Sequence, residues 1–211
     1  MTEPNRLAEC AAKLTKHKFR TVVVSSVEEA AEVIEQELVR CAPHSVNYGD
    51  SMTLRATGII ERIKAEGKLR LYDGFDPSMS REERIEVRRQ GLAADFYLTG
   101  INAISLEGTL HWLDMIGNRI APIAFGPKHV VLVAGRNKIV STPQEAEERI
   151  RRVAAPKNVA RHEGFRTPCA VTGVCADCSS PDRICNVHLV MDRCYPPGRI
   201  LVVLIDDDLG L

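Results

Sequence analysis

Thr21-Val-Val-Val-Ser25, continuing into Ser26-Val-Glu-Glu29 and then Ala30, Val33, Ile34 and Leu38, is the stretch whose reading decides the fold. The valines make a short β-rich run. Ser26, followed three residues later by Glu29, is a capping box in which hydroxyl and carboxylate satisfy orphan backbone donors reciprocally. The apolar residues beyond it recur at helical spacing, with Glu32, Glu35 and Glu37 largely on the other face. A buried strand feeds an amphipathic helix.

The same grammar recurs along the chain. Ser80-Arg-Glu-Glu83 and Thr142-Pro-Gln-Glu145 are further capping boxes, and Pro143 brings a φ suited to a first helical position. Helices are predicted over about 52–66, stopped by Gly67, over about 81–95, and from Thr142 to near Val153. Short apolar runs lie between, at 21–25, 45–48, 69–72, 96–99, 121–125 and 130–134. Val130-Val-Leu-Val-Ala134, the turn Gly135-Arg-Asn137 and Lys138-Ile-Val140 read as a hairpin, and 199–205 as a closing strand. Helices alternating with buried β-rich runs predict an α/β fold, a mostly parallel sheet flanked by helices on both faces. At 211 residues the chain suits a single domain spanning 1–211. Within it, 156–197 is a long Cys-rich excursion between regular elements.

Composition narrows the function. Lysine plus arginine and aspartate plus glutamate number 28 each, so nothing favours nucleic acid or an anionic membrane surface. Aromatic residues are 5%, with Trp112 alone of its kind, which argues against a base-stacking surface. The opening MTEPNRLAECAAKLTKHKF has no apolar core of signal-peptide length, and no later segment could span a bilayer. A cytoplasmic setting with reduced thiols is expected.

Cys169, Cys175, Cys178 and Cys185 fall in a C-x5-C-x2-C-x6-C pattern, whereas Cys10, Cys41 and Cys194 stand alone. Cys175 and Cys178 form the tight pair that grips one metal centre, and the outer two complete four-sulfur coordination. The uneven spacing favours a [4Fe–4S] cluster over Zn2+; His162, His188 or Cys194 could replace a ligand. The plainer alternative is a loop with free thiols.

Other candidates sit where strands end. Gly49-Asp-Ser-Met-Thr53 follows an apolar run, and a strand–glycine–helix junction presents free N–H groups that hold anions, though a plain helix cap reads the same way. It is neither a P-loop nor a dinucleotide fingerprint. Asn102 and Glu107 follow the next run; Glu107 beside Gly108 is a base or nucleophile if desolvated, and otherwise a solvent-facing turn residue. Asn118-Arg119 could orient a carboxylate, and Lys128-His129 place a cation and an imidazole between two predicted strands.

These residues resemble the LUD-domain family of lactate-utilisation proteins, typified by the LutC protein. The resemblance rests on Gly49-Asp-Ser-Met-Thr-Leu54, Thr99-Gly-Ile-Asn-Ala103 with Glu107-Gly-Thr109, Gly117-Asn-Arg119, Phe125-Gly-Pro-Lys128 and Gly135-Arg-Asn-Lys-Ile-Val140. Members with a similar TPC…GxCxDC…SPDRICN tail match 168–186, a subgroup with a C-terminal cysteine block. The resemblance implies a Rossmann-like sheet similar to that of sugar-phosphate isomerases and CoA transferases, with a smaller second lobe. It also implies a part in oxidising L-lactate within a multiprotein iron–sulfur complex. In related CoA transferases a Glu-x-Gly turn supplies the covalent carboxylate, at a point comparable to Glu107-Gly108.

The combined expectation is an anionic small molecule, lactate-like or phosphate-bearing, bound over Gly49, Asp50, Ser51 and Thr53 near Asn102, Glu107, Asn118 and Lys128. The cluster would pass electrons or sense redox state. Oxidation of lactate would need a further redox cofactor or iron–sulfur or flavin partner subunits. A homo-oligomer is compatible with the sequence. The rivals are a non-redox transferase or isomerase with reactive Glu107 and structural zinc, and an accessory subunit without chemistry.

Overall fold

Apolar side chains on both sides of a strand are hidden only if both sheet faces are covered. Ile200–Ile205 is such a strand, buried at all six positions. A computed structural model describes residues 3–211, with side chains from Arg6 onward. Its first half runs α1 (Glu3–Lys16), β1 (Arg20–Val24), α2 (Val27–Cys41), β2 (Ser45–Tyr48), α3 (Met52–Ala56), α4 (Ile59–Glu66), β3 (Arg70–Tyr72) and α5 (Arg81–Gln90). There follow β4 (Phe96–Gly100), β5 (Ala103–Ser105), β6 (Leu110–Asp114), α6 (Ala121–Ala124), β7 (His129–Gly135) and β8 (Ile139–Val140). The chain closes with α7 (Pro143–Arg149), α8 (Ala155–Ala160), α9 (Pro168–Thr172), β9 (Val187–Met191) and β10 (Ile200–Ile205).

The main sheet has the order β1-β10-β7-β4-β2-β3 and is parallel throughout. Alternate residues of its central strands divide between two cores. Leu201, Val203, Ile205, Val131, Val133, Phe96 and Leu98 pack with Ala30 and Ile34 of α2 and Ile59, Ile60 and Ile63 of α4. Ile200, Val202, Leu204, Val130, Leu132 and Tyr97 face the other way, onto Leu7, Cys10 and Leu14 of α1. They also meet Ile104, Leu110 and Trp112 of a second sheet, β8-β5-β6-β9. That sheet's far side meets Ala146 and Ile150 of the α7 region. An α/β fold with a mostly parallel sheet and a smaller lobe is therefore present. No helix among the described residues is long and apolar enough to cross a membrane.

The local differences from the sequence reading have physical causes. The helix predicted over 52–66 is two: the Thr57 hydroxyl donates to the Leu54 oxygen at 2.7 Å, and Gly58 turns left-handed at φ 66°. The helix predicted to 95 stops at Gln90, where Gly91 begins a 3₁₀ turn packed on Asn47, whose side-chain amide donates to the Gly91 oxygen at 3.0 Å. The run 121–125, read as strand, is instead helical over Ala121–Ala124, forming α6 with Pro122 at its start. The hairpin over 130–140 is absent. A short 3₁₀ turn at 136–138 carries the chain from one sheet to the other, where β8 pairs with β5. The helix expected to end near Val153 continues through a π turn and α8 to Ala160, and β9 lies within the excursion. Glu37, read on the polar face, is buried between Arg20 and Arg40.

Candidate functional site

The carboxyl ends of β2, β4 and β7 open into one cleft of ≈ 1120 Å3, where open parallel sheets gather their ligands. Two glycines shape its floor by letting neighbours approach. A Cβ on Gly49, just after β2, would stand 2.7 Å from both the Cγ of Arg119 and the hydroxyl oxygen of Thr99. A Cβ on Gly100 would strike the Ser51 hydroxyl. Ser51 caps α3, accepting from the Leu54 N–H at 3.1 Å, but α3 is a helix of five residues. So short a helix has little dipole to offer an anion.

Arg119 is the hub. Its main-chain oxygen accepts from the Tyr97 hydroxyl at 2.9 Å, and its N–H donates to Asp114 at 2.8 Å. Its guanidinium donates to the Asn102 side-chain oxygen at 2.8 Å and to the Leu113 oxygen at 2.7 Å. The same Asn102 oxygen accepts from the Leu113 N–H at 3.1 Å, so Asn102 ties the end of β4 to β6. Burial pushes the Tyr97 hydroxyl up, keeping it a neutral donor.

Lys138 lies deeper, 4% exposed, just after β7. Its ammonium donates to the Leu211 oxygen, which also accepts from Arg149 at 3.3 Å. Gly210 packs so closely that a Cβ there would be 2.7 Å from the Thr53 hydroxyl. Burial first, then Arg149 and Arg119, pull Lys138 down to about 7.

Charge in the cleft is lopsided in a chain of zero net charge. Seven cationic side chains line it, Arg55, Arg81, Arg84, Arg88, Arg119, Lys138 and Arg161, against the carboxylates of Asp50, Asp114 and Asp182. Asp50 is held by Arg55 at 3.0 Å and Arg161 at 2.5 Å. Asp114 is engaged by the backbone N–H groups of Met115 and Arg119, and Asp182 by Arg166. Arg81, Arg84, Arg88, Arg119 and Lys138 are thus left without a side-chain carboxylate among the described residues.

Of the residues singled out from sequence, Asp50, Ser51, Thr53, Asn102 and Asn118 line the cleft, and Gly49 shapes it from beneath. Two stand elsewhere. Glu107 is exposed in the β5–β6 turn, beside Gly108, which packs on Lys13 and His17 of the N-terminal helix region. Lys128 is exposed at the amino end of β7, near Asp95, because α6 replaces the predicted strand and reverses which end of the sheet the loop serves. Sequence reasoning missed the arginines of α5, Lys138 and Arg161. Arg81, Arg84 and Arg88 share one helical stripe, a pattern that by itself reads as a solvated face.

The family model described as LUD domain matches residues 7–205. The chain belongs to the LUD-domain family. A crystal structure of a DUF162 family protein from Deinococcus radiodurans has a similar fold, with a TM-score of 0.55 and 16% identity, covering 98% of this chain and 99% of that one. No curated protein matches the sequence.

In this LUD-domain protein the cysteine segment forms one wall of the cleft through Pro181, Asp182 and Ile184. Arg183 pins it, donating to the oxygens of Cys178 at 2.5 Å and Cys185 at 3.1 Å. Cys169, Cys175, Cys178 and Cys185 are half-buried free thiols. Burial raises the Cys185 thiol, Arg183 lowers it, and neighbouring Cys175 and Cys178 raise it again. Soft sulfurs suit iron or zinc. As placed, however, no three Cys, His, Asp or Glu side chains among the described residues form a group that could hold a metal ion. His162 lines the cleft, His188 is exposed on β9, and Cys194 is buried in the core beside α1.

Proposed function

We propose that this LUD-domain protein binds a small anionic metabolite in the cleft and serves lactate or related 2-hydroxy-acid metabolism. The observation that carries the reading is the set of five cleft cations without a side-chain carboxylate, in a protein otherwise balanced in charge. Cations of one sign lining a cleft focus a field that an anion neutralises. Arg119 presents a guanidinium fork suited to a carboxylate, and Asn102, already bonded to it, fixes its orientation. Ser51 and Asn118 offer neutral partners at the rim for a hydroxyl. The test is calorimetric titration with L-lactate, pyruvate, oxalate and inorganic phosphate at low and high salt. Saturable binding that weakens with salt and is lost on Arg119→Gln supports the reading. Absence of binding by all four anions to folded protein rules it out.

A second reading concerns the cysteine segment, and the tight Cys175-x-x-Cys178 pair with Cys169 and Cys185 on either side favours it. In it the four thiols take up a [4Fe–4S] cluster, with a role in electron transfer or redox sensing alongside iron–sulfur or flavin partner subunits, or else a structural zinc. The segment must then close from its present arrangement. Anaerobic purification with iron, sulfide and zinc quantified per chain tests it; metal content unchanged by Cys175→Ser and Cys178→Ser sinks it.

A further inference from the structure

The free cations of the cleft fall into two groups. Arg119 and Lys138 lie on the floor, directed at the oxygens of Asn102, Leu113 and Leu211. Arg81, Arg84 and Arg88 rise from α5, at positions i, i+3 and i+7 of one stripe. This helix buries no side chain, so the face it turns to the cleft does not serve the core. It is nonetheless held firmly. Ser80 and Glu83 form a complete capping box at its start. Arg88 donates twice to the Gly74 oxygen, at 3.0 and 2.8 Å, and lies 4.5 Å over the Phe75 ring. A Cβ on Gly74 would stand 2.5 Å from the Arg88 Cγ, so the glycine admits this packing.

Arg81 and Arg84 are different. The Arg84 Nε reaches the Ser80 oxygen at 3.4 Å, and neither arginine meets a carboxylate among the described residues. Like charges one turn apart repel, and the cleft's Asp50, Asp114 and Asp182 are each engaged by other groups. Adjacent guanidinium forks on a rigid helix match the geometry of a phosphate group. The cleft, ≈ 1120 Å3, also exceeds what a three-carbon acid needs; sites of about 300–1,000 Å3 take much larger ligands.

We propose that the ligand of this cleft carries two anionic groups: a carboxylate received on the floor by Arg119 and Lys138, and a phosphate received by Arg81 and Arg84. The class is a phosphorylated hydroxy acid. The inference rests on the anion-binding reading above and adds a second, phosphate-selective subsite.

Calorimetric titration with 3-phosphoglycerate, L-lactate and inorganic phosphate separates the two. The expected result is that 3-phosphoglycerate binds at least about tenfold more tightly than either fragment, because it engages both subsites at once. In Arg81→Gln/Arg84→Gln that advantage disappears, 3-phosphoglycerate losing at least about tenfold in affinity and lactate far less; thermal melting checks that the variant folds. Equal affinity for 3-phosphoglycerate and lactate overturns the two-anion proposal and leaves the single-anion reading standing. An equal loss of both ligands in the variant overturns it too. Binding of none of the three to folded wild-type protein removes both readings.

Discussion

The Tyr97 hydroxyl donates to the Arg119 main-chain oxygen at 2.9 Å, directly against Gly49, and this bond sets the floor of the cleft. Tyr97 belongs to β4 and faces the core shared with α1. Arg119 belongs to the loop after β6, in the second sheet's connection. The bond therefore joins the two lobes where the ligand would sit.

Gly49→Ala should break this floor. The added methyl would press on the Tyr97 hydroxyl itself and lie 2.7 Å from the Arg119 Cγ and from the Thr99 hydroxyl oxygen. Overpacking of this kind costs about 1–3 kcal/mol. Anion affinity should fall more than stability does, because Arg119 must move. A thermal melt and a lactate titration on the same variant measure both; unchanged affinity would refute the role given to Gly49.

Glu37 predicts the acid limb of stability. It is buried, and Arg20 and Arg40 each bond to it twice. Burial alone would raise its pKa, but hydrogen bonds from Arg40 and then Arg20 prevail and hold it at about 2, against an ordinary 4.5. The folded pKa is depressed, so the stabilisation is fully present above about 4.5 and is lost as pH falls through about 2. Both arginines are more than a third exposed, which trims the contribution to about 2 kcal/mol. Glu37→Gln should lower stability by that amount at neutral pH and flatten its slope in acid. Denaturant melts across the acid range show this; parallel curves for variant and wild type would exclude it.

Much of the fold was legible because buried parallel strands write themselves as short apolar runs: β2 was read at 45–48, as observed, and β1, β3, β4 and β10 within a residue or so. The second sheet was not. Ala103–Ser105 and Ile139–Val140 are too short to show a period, and the apolar run from Val130 gives no sign that the chain changes sheets at Arg136. At the site, Gly49, Ser51 and Asn102 were visible as strand-end residues. Arg81 and Arg84 were not, since an arginine on a polar helix reads as solvated until the cleft beside it is known. Lys138 was hidden for the opposite reason: it looked like one residue of a hairpin, and only the tail folding over it shows that it is buried.

Cys10 and Cys194 should be silent in any metal or redox assay. Both are buried in one core, Cys10 on α1 itself, and burial pushes the Cys10 thiol to about 12, which keeps it protonated and unreactive. Cys10→Ala should cost stability only, about 1 kcal/mol for a small cavity. Thiol labelling of the native protein should modify the four cysteines of the 169–185 segment and leave Cys10 and Cys194 until unfolding. Early labelling of either would contradict their placement.

Lys138 gives the pH dependence of binding. Its ammonium is desolvated and faces Arg149 and Arg119, so it loses its proton near pH 7 rather than at the ordinary 10.5. Below about 7 the floor carries that charge; above it, the charge is gone while Arg119 remains. Affinity for a carboxylate should therefore decline as pH rises through about 7, by up to about tenfold, and then level off. The folded protein itself moves the other way. The unfolded lysine holds its proton up to 10.5, so between about 7 and 10.5 the unfolded state binds more protons and stability rises with pH. Lys138→Met should remove both trends at once, weakening lactate at low pH and making its affinity independent of pH. Lactate titrations of wild type and variant at several pH values decide the matter, and a pH profile that survives in Lys138→Met assigns the titration to another group.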